Sequence, residues 1–400
     1  MKIESIQIKN FKVFKDVEVT ALPKMSVFLG ANGAGKTTFF DVFGFLSDAL
    51  INNVTSALNK RGGFNEVRSR DADGDISFVI KYRTPSSEGH RKGPIVTYEI
   101  VIGQENGKAI IRKELLKYRR GQHGKPWHFL NFENGVGTAV VNEDQYIDQN
   151  ANEERVEQQL DSPDILAIKG LGQFQRFKAI ASFRKLLEGW YVSNFQIDAA
   201  RAVTDTGVSN HLSKTGSNLA QVTKFIYDNH RDIFDGILDK MRQRIPGVEK
   251  VEAEETVDGR IILRFQDGSF KDPFIARYVS DGTIKMFAYL VLLNDPAPHP
   301  LLAIEEPENY LHPELQAELA EELRSYSERG GQVFVSTHSP DFVNSLELEE
   351  LFWIQKEEGY STVIRASEKP EASALYHAGD KLGYLWRQNY FIGSGPQPVK

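Results

Sequence analysis

The stretch Gly30–Thr37 reads GANGAGKT and matches the pattern G-x-x-x-x-G-K-[ST] at every fixed position. Its flanks constrain the fold as strongly as the motif does. Ser26-Val27-Phe28-Leu29 predicts a buried strand. Thr38–Leu50 carries Phe39, Phe40, Val42, Phe43, Phe45, Leu46, Ala49 and Leu50, which suits a mostly buried helix. Strand, glycine-rich loop and helix in that order form a phosphate cradle, with backbone N–H groups turned inward at the positive end of the helix. The expected phosphate-binding residues are Gly30, Ala31, Asn32, Gly33, Ala34, Gly35 and Thr38, with Lys36 reaching the β- and γ-phosphates. The Thr37 hydroxyl is the expected Mg²⁺ ligand. This part of the chain therefore predicts a bound nucleoside triphosphate.

The rest of the chain limits what surrounds that cradle. Its 400 residues suit two domains, or one large domain with an insertion. The absence of cysteine excludes disulfides, a thiol nucleophile and Cys-ligated zinc. MKIESIQIKNFKVF alternates like a strand and lacks the apolar core of a signal peptide. The longest purely apolar run, Met286–Leu293, is far shorter than the roughly 20 residues a membrane helix needs. A cytoplasmic protein with no membrane partner is the expectation. The formal net charge is −7, so any DNA contact must come from a local basic patch. Lys117-Tyr118-Arg119-Arg120 with Lys125, and the stretch holding Arg176, Lys178, Arg184 and Lys185, are the candidates. A solvated charged face is the plainer reading of both.

Taken in order, Ile3, Ile6 and Ile8 begin a strand, Asn10–Phe14 a turn, and Val17–Val19 a second strand. Phe11 and Phe14 read as core residues, with stacking on a base by Phe11, Lys12 or Phe14 as the alternative. Ile76–Tyr82, Val96–Ile102 and Ala109–Leu116 predict an antiparallel meander. Asn142–Leu160 is polar and reads as a solvated helix or loop near the start of an insertion. From Ile165 to Arg244 the pattern is mainly helical. One helix carries Ala179, Phe183, Leu186 and Leu187, and another runs from Leu219 through Ile233 and Met241 to Pro246. No sustained heptad occurs there, which excludes a long coiled-coil arm. A hairpin is predicted for Val248–Ala253 and Ile261–Phe265, followed by a return to an α/β rhythm and a tail from Tyr390.

Three later stretches add chemistry. Leu301-Leu302-Ala303-Ile304-Glu305-Glu306 is an apolar strand ending in two acids, the first suited to organising Mg²⁺ and the second to polarising an attacking water. Ser280-Asp281-Gly282-Thr283 precedes an apolar helix expected near Ile284; it reads as an anion site at a helix start, or as an ordinary cap. Val333–Ser336 leads into Thr337-His338-Ser339-Pro340, placing a histidine one strand after the acids.

The order GANGAGKT, SDGT, IEEPENYLHP, STHSP resembles that of the ATP-binding-cassette ATPases, in the branch shared by RecF, SMC and OLD-family proteins. The Asn10-Phe11-Lys12 opening resembles that branch as well. The resemblance covers roughly residues 1–50 and 270–345. It implies an α/β fold, an ABC-type P-loop ATPase head with an antiparallel β-subdomain and an inserted mainly helical lobe. The corresponding spans are 1–140 for the N-terminal part, 141–265 for the helical lobe and 266–400 for the C-terminal part.

By the same resemblance the ligands are ATP and Mg²⁺, with the metal at Thr37 and Glu305. Lys36, Glu306 and His338 are the expected catalytic groups, and Asn309 lies in a loop that communicates across a dimer. Ser280 and Gly282 belong to the signature segment that reaches a partner subunit's ATP. Two residues depart from the common pattern: Glu305 stands for the usual Asp, and Asp281 for the first of two glycines. OLD-like predicted ATPases share both forms. No glutamine is assigned to the Q-loop, Gln173 and Gln175 being unsupported candidates. The expected behaviour is an ATP-driven homodimer or higher homo-oligomer, acting in DNA maintenance or phage defence. About 60 residues follow His338, too few for a TOPRIM nuclease domain, so a separately encoded nuclease or toxin is the expected effector. The alternatives are a nucleotide-dependent scaffold with little hydrolysis and the ATPase subunit of a transporter.

Overall fold

The computed structural model describes residues 1–84, 93–118, 126–147, 152–391 and 393. The chain divides into two compact units. The first comprises the described residues of Met1–Trp190, Glu347–Asp380 and Leu385–Lys400, and the second comprises Tyr191–Leu346 with Lys381–Tyr384.

An eight-stranded sheet dominates the first unit. Its spatial order is Phe14–Val19, Lys2–Phe11, Ile76–Arg83, Ile95–Glu105, Lys108–Tyr118, Trp127–Glu133, Val136–Val140 and Arg155–Gln159. Every pairing in it is antiparallel. Period-two alternation sets the buried face: Ile76, Phe78, Ile80 and Tyr82 are buried while the residues between them are half-buried. Phe11 and Phe14 are wholly buried, Phe11 lying 5.3 Å from Phe78 and 5.7 Å from Phe45 between ring centroids. Both are core residues, and Lys12 pairs with Asp41 at 2.7 Å.

The described residues of the polar segment Asn142–Leu160 form neither an α-helix nor one continuous loop. Glu143–Ile147 forms a short 3₁₀ turn and Arg155–Gln159 an edge strand. An edge strand buries little on either face, which is why its sequence lacks apolar alternation. Of the basic candidates, Arg119, Arg120 and Lys125 lie outside the described residues. Lys178 pairs with Asp144, Arg184 with Glu188 at 2.6 Å, and the Arg176 guanidinium lies 4.6 Å from the Phe177 ring centroid. Three of the four cations in that stretch, Arg176, Lys178 and Arg184, already have partners.

The second layer of this unit positions the phosphate loop. Met25–Leu29 runs parallel to Leu351–Glu357, which pairs antiparallel with Tyr360–Arg365. Met25–Leu29 is buried throughout, as the apolar run predicts. Helix Lys36–Ile51 follows the loop with Phe39, Phe40, Val42, Phe43, Phe45 and Leu46 fully buried. Phe28 contacts Phe39 at 4.4 Å and Phe352 at 5.3 Å, tying strand, helix and neighbouring strand into one aromatic core.

In the second unit Leu301–Glu305 lies parallel to Val333–Ser336, with Glu305 opposite Ser336. Helix Pro313–Glu328 connects these strands. The hairpin Val248–Glu255 and Arg260–Asp267 forms as expected, turning at Gly259 with φ +76°. The helix expected to run from Leu219 to Pro246 is broken into Leu219–Asn229 and Arg231–Arg244. His230 leaves helical geometry (φ −140°, ψ 58°), its N–H closing the first helix on Ile226 and its carbonyl opening the second. The apolar periodicity passes through the break, so the sequence pattern alone conceals it. Glu322 accepts from Lys240 at 2.6 Å and from Arg244 at 2.8 Å, joining helix Arg231–Arg244 to helix Pro313–Glu328. Burial works against that carboxylate, yet the two cations together hold it below its ordinary range. Among the described residues, no helix is long and apolar enough to cross a membrane.

Candidate active site

The phosphate loop is shaped by left-handed glycines and braced from behind. Gly33 and Gly35 have φ of +77° and +110°, values that L side chains adopt only at a cost. A Cβ on Gly35 would also meet Val13 Cγ2 at 2.8 Å. The Ala34 N–H closes on the Ala31 carbonyl at 3.1 Å, and Ser361 Oγ donates to the Ala34 carbonyl at 2.6 Å. Lys36 is buried, and its Nζ donates to the carbonyls of Gly30 at 2.7 Å and Ala31 at 3.1 Å. Asn32, Gly33 and Thr37 remain exposed, and Thr38 is half-buried. No acidic residue occupies the first turn of helix Lys36–Ile51, so its positive end faces no carboxylate of its own helix.

The acidic strand end of the second unit is organised by side chains. Glu305 ends its strand, and Glu306 turns away with φ +47°, a left-handed backbone uncommon for a residue with a Cβ. The Glu306 N–H is fixed on the Ser336 carbonyl at 2.9 Å. Its carboxylate is held at both oxygens: Asn309 Nδ2 donates to Oε2 at 2.8 Å, and His338 Nε2 lies 3.1 Å from Oε1. Three residues singled out from the sequence are thus brought together within this unit.

Two residues that the motif reading passed over support this cluster. Glu308, only 4 % exposed, accepts from Thr337 Oγ1 at 2.6 Å and from the His338 N–H at 2.9 Å. Both donors use Oε1, while Oε2 is buried without a hydrogen-bond partner. Burial raises this carboxyl above its ordinary range, against the lowering effect of the two donors. Lys285 Nζ donates to the carbonyls of Glu306 at 3.2 Å and Asn309 at 2.9 Å, clamping the turn between them. Burial pushes the Lys285 ammonium down to about 8, partly opposed by Glu308 and Glu306. Its position, facing inward from the apolar helix Asp281–Leu293, is the signal that could have identified it.

The SDGT segment starts that helix at Asp281, earlier than the expected Ile284, because Ser280 caps it. Ser280 Oγ accepts from the Thr283 N–H at 3.2 Å and lies 2.7 Å from Thr283 Oγ1. The Asp281 carboxylate is paired with Arg201 at 2.6 Å, so its charge is countered within the unit. Gly282 is required by close approach: a Cβ there would lie 2.8 Å from the Tyr310 carbonyl. Gln173, in the first unit, directs its amide to the Lys169 carbonyl at 3.3 Å.

Comparison with known proteins agrees with this geometry. A family model described as "AAA ATPase domain" matches residues 1–182, and one described as "AAA domain, putative AbiEii toxin, Type IV TA system" matches residues 146–344. The DNA replication and repair protein RecF of Heliobacterium modesticaldum is 27% identical over 108 residues, which are 27% of this chain and 25% of that protein. The chain thus spans about a quarter of that relative's length. An SMC head bound to the C-winged helix domain of ScpA aligns with 91% of this chain and 98% of its own, at 13% identity and a TM-score of 0.56. An SMC head with an extended coiled coil, bound to a ScpA C-terminal domain derived from Pyrococcus furiosus, aligns with 95% and 100% at 13% identity and a TM-score of 0.51. The fold is that of a P-loop ABC-type head, and the two family models, the RecF relative and the SMC heads together support a RecF/SMC/OLD-like ABC-type ATPase.

Proposed function

We propose that this protein binds ATP, hydrolyses it to ADP and phosphate, and changes its assembly state as it does so. The observation that carries the reading is the Glu306 carboxylate, fixed at both oxygens by Asn309 and His338 at the end of an apolar strand. A carboxylate so held can orient a water and accept its proton without reorganising. His338 steadies the acceptor, and Glu308 positions His338 through its backbone N–H.

On the phosphate side, the loop's N–H groups and helix terminus suit an anion. Lys36 is an ammonium whose present acceptors include two loop carbonyls, and phosphate oxygens would replace them. The hydroxyl of Thr37 and the carboxylate of Glu305 are each a hard oxygen donor of the kind Mg²⁺ takes, and each is proposed as a ligand from its place in its own motif. When bound, that ion would neutralise charge on the triphosphate.

Assembly is supported by the surface beside the signature segment. Tyr278 is 73% exposed and Tyr310 is 68% exposed, the latter in the turn that carries Asn309. Such aromatics are favoured at protein interfaces. The branch and the relative's printed name support a role in DNA maintenance. A separately encoded nuclease or toxin in phage defence is proposed on the motif resemblance, whereas the family model over residues 146–344 is described as a putative toxin of a toxin–antitoxin system in its own right. A scaffold with slow hydrolysis is the second reading, favoured by Glu305 in place of Asp.

The test is light scattering and phosphate release for the wild type and Glu306→Gln, each with and without Mg-ATP. An ATP-dependent rise in mass, longer-lived in the variant, together with lost turnover, is expected. Normal hydrolysis by Glu306→Gln would overturn its catalytic assignment. Affinity capture from the native host that recovers neither nuclease, toxin nor DNA would overturn the effector reading.

A further inference from the structure

We propose that His211, Asp295 and His299 form a binding site for a divalent transition-metal ion of the zinc class, separate from the ATPase chemistry. Each side chain offers one ligand atom, and these atoms lie within 4.8 Å of one another. All three belong to the second unit. His211 comes from the segment before helix Leu219–Asn229. Asp295 and His299 come from the short connector between helix Asp281–Leu293 and strand Leu301–Glu305.

The donor set selects the metal. Two imidazoles and one carboxylate suit Zn²⁺ and its borderline neighbours, whereas Mg²⁺ and Ca²⁺ favour all-oxygen sites. His211 Nδ1 already lies 2.7 Å from Asp295 Oδ2. Tetrahedral ligands about 2.0–2.1 Å from zinc sit about 3.3 Å apart, so this pair needs to open only slightly to exchange a shared proton for an ion. Three protein ligands leave a fourth position for water.

The surroundings hold the ligands as a metal site requires. The Asp295 side chain is 3% exposed, and its Oδ1 accepts from the Ala297 N–H at 2.8 Å, leaving Oδ2 toward His211. The prolines at 296, 298 and 300 stiffen the Asp295–His299 connector. Tyr326 OH donates to the His299 carbonyl at 2.7 Å, and the Tyr191 ring lies 5.1 Å from the His299 ring. Asn218 Nδ2 donates to the His211 carbonyl at 2.9 Å. The His211 side chain is 46% exposed, which gives an ion a route in.

A bound ion would close a loop of 84 residues. It would fix the connector that leads directly into the strand ending at Glu305. Its occupancy is therefore read by binding and by stability, not by turnover.

The experiment uses the full chain, stripped with EDTA, dialysed against Zn²⁺, and assayed for retained metal, with Co²⁺ substitution followed by its visible absorption. The expected result is one ion per chain, a Co²⁺ spectrum of low-coordinate type, and a Zn²⁺-dependent rise in Tm that EDTA reverses. His211→Ala and His299→Ala should each weaken binding at least tenfold and abolish the Tm rise, while His230→Ala keeps both. Comparison of the EDTA-treated Tm values shows whether each variant folds. If a variant fails to fold, the wild-type stoichiometry and Co²⁺ spectrum decide alone. Zn²⁺ retention below one ion per chain with no Tm shift would overturn the proposal and leave a hydrogen-bonded His–Asp pair beside a packed imidazole.

Discussion

The phosphate loop of the first unit is made of backbone, whereas the acidic strand end of the second is made of side chains. At Gly30–Thr37 the shape comes from two left-handed glycines and a helix start, with Lys36 the one long side chain bonded to the loop's own carbonyls. At Glu306 the shape comes from Asn309, His338, Glu308 and Lys285, each a side chain reaching from elsewhere in the unit. A backbone site tolerates little variation at the glycines but says much in few letters. A side-chain site distributes its information over distant positions, so single substitutions should give graded effects.

The largest expected effect tests the first half. Lys36→Ala should weaken ATP binding by more than ~100-fold, about 3 kcal/mol, because a charge-assisted contact is lost. Titration with a fluorescent ATP analogue checks this, and unchanged affinity would remove the loop from the site. Glu306→Gln should reduce turnover by ~10²–10⁴-fold with binding retained, as expected for loss of a general base. Single-turnover phosphate release separates the two.

Two smaller effects contrast structure with chemistry. Glu114 of the first unit is also a buried carboxyl, accepting from the N–H groups of Ala167 at 2.5 Å and Ile168 at 3.1 Å and from Tyr98 OH at 3.1 Å. Burial pushes it up to about 7 from an ordinary 4.5, against the lowering effect of those three donors. The folded state then binds more protons than the unfolded state between these values. Stability should therefore fall as pH rises from about 4.5 to about 7 and change no further above that, by up to about 3 kcal/mol. Urea unfolding across that range should show the slope in the wild type and a flatter profile in Glu114→Gln. Gly35→Ala should cost about 1–3 kcal/mol through its φ of +110° and the Val13 contact, measured by thermal unfolding.

The smallest effect sharpens the role of Glu308. Both of its donors use one oxygen, so Glu308→Gln keeps their acceptor and should change stability by less than about 1 kcal/mol. Glu308→Ala leaves the Thr337 hydroxyl and the His338 N–H without that acceptor and should cost about 1–3 kcal/mol, with reduced turnover. Equal turnover in all three proteins would show that His338 does not depend on this support.

The sequence exposed what is local. Strand, loop and helix around Lys36 lie within one short run, and the acids lie on one apolar strand. Phe11 and Phe14, in the turn between two extended segments, read as core because packing is the plainer role for such aromatics than stacking on a base. Arg201 was not legible as the partner of Asp281, because 80 residues separate them and only the fold joins them. Glu308 and Lys285 were missed for the same reason, being 30 and 21 residues from His338 and Glu306. The break at His230 was hidden because apolar spacing continues across it, while the backbone change occupies a single residue.

The brace on the phosphate loop has a consequence for synthesis. The Ser361 hydroxyl that holds the Ala34 carbonyl is 327 residues away in the chain. Translation at about 5–20 residues per second separates the two by roughly 15–65 s. The strand Leu351–Glu357, which flanks the loop's own strand, is made just before Ser361. A growing chain on the ribosome therefore carries the letters of the nucleotide motif long before it has the part that finishes its shape. Nucleotide capture should begin only once this late hairpin has docked, making it a marker of completed folding in the first unit.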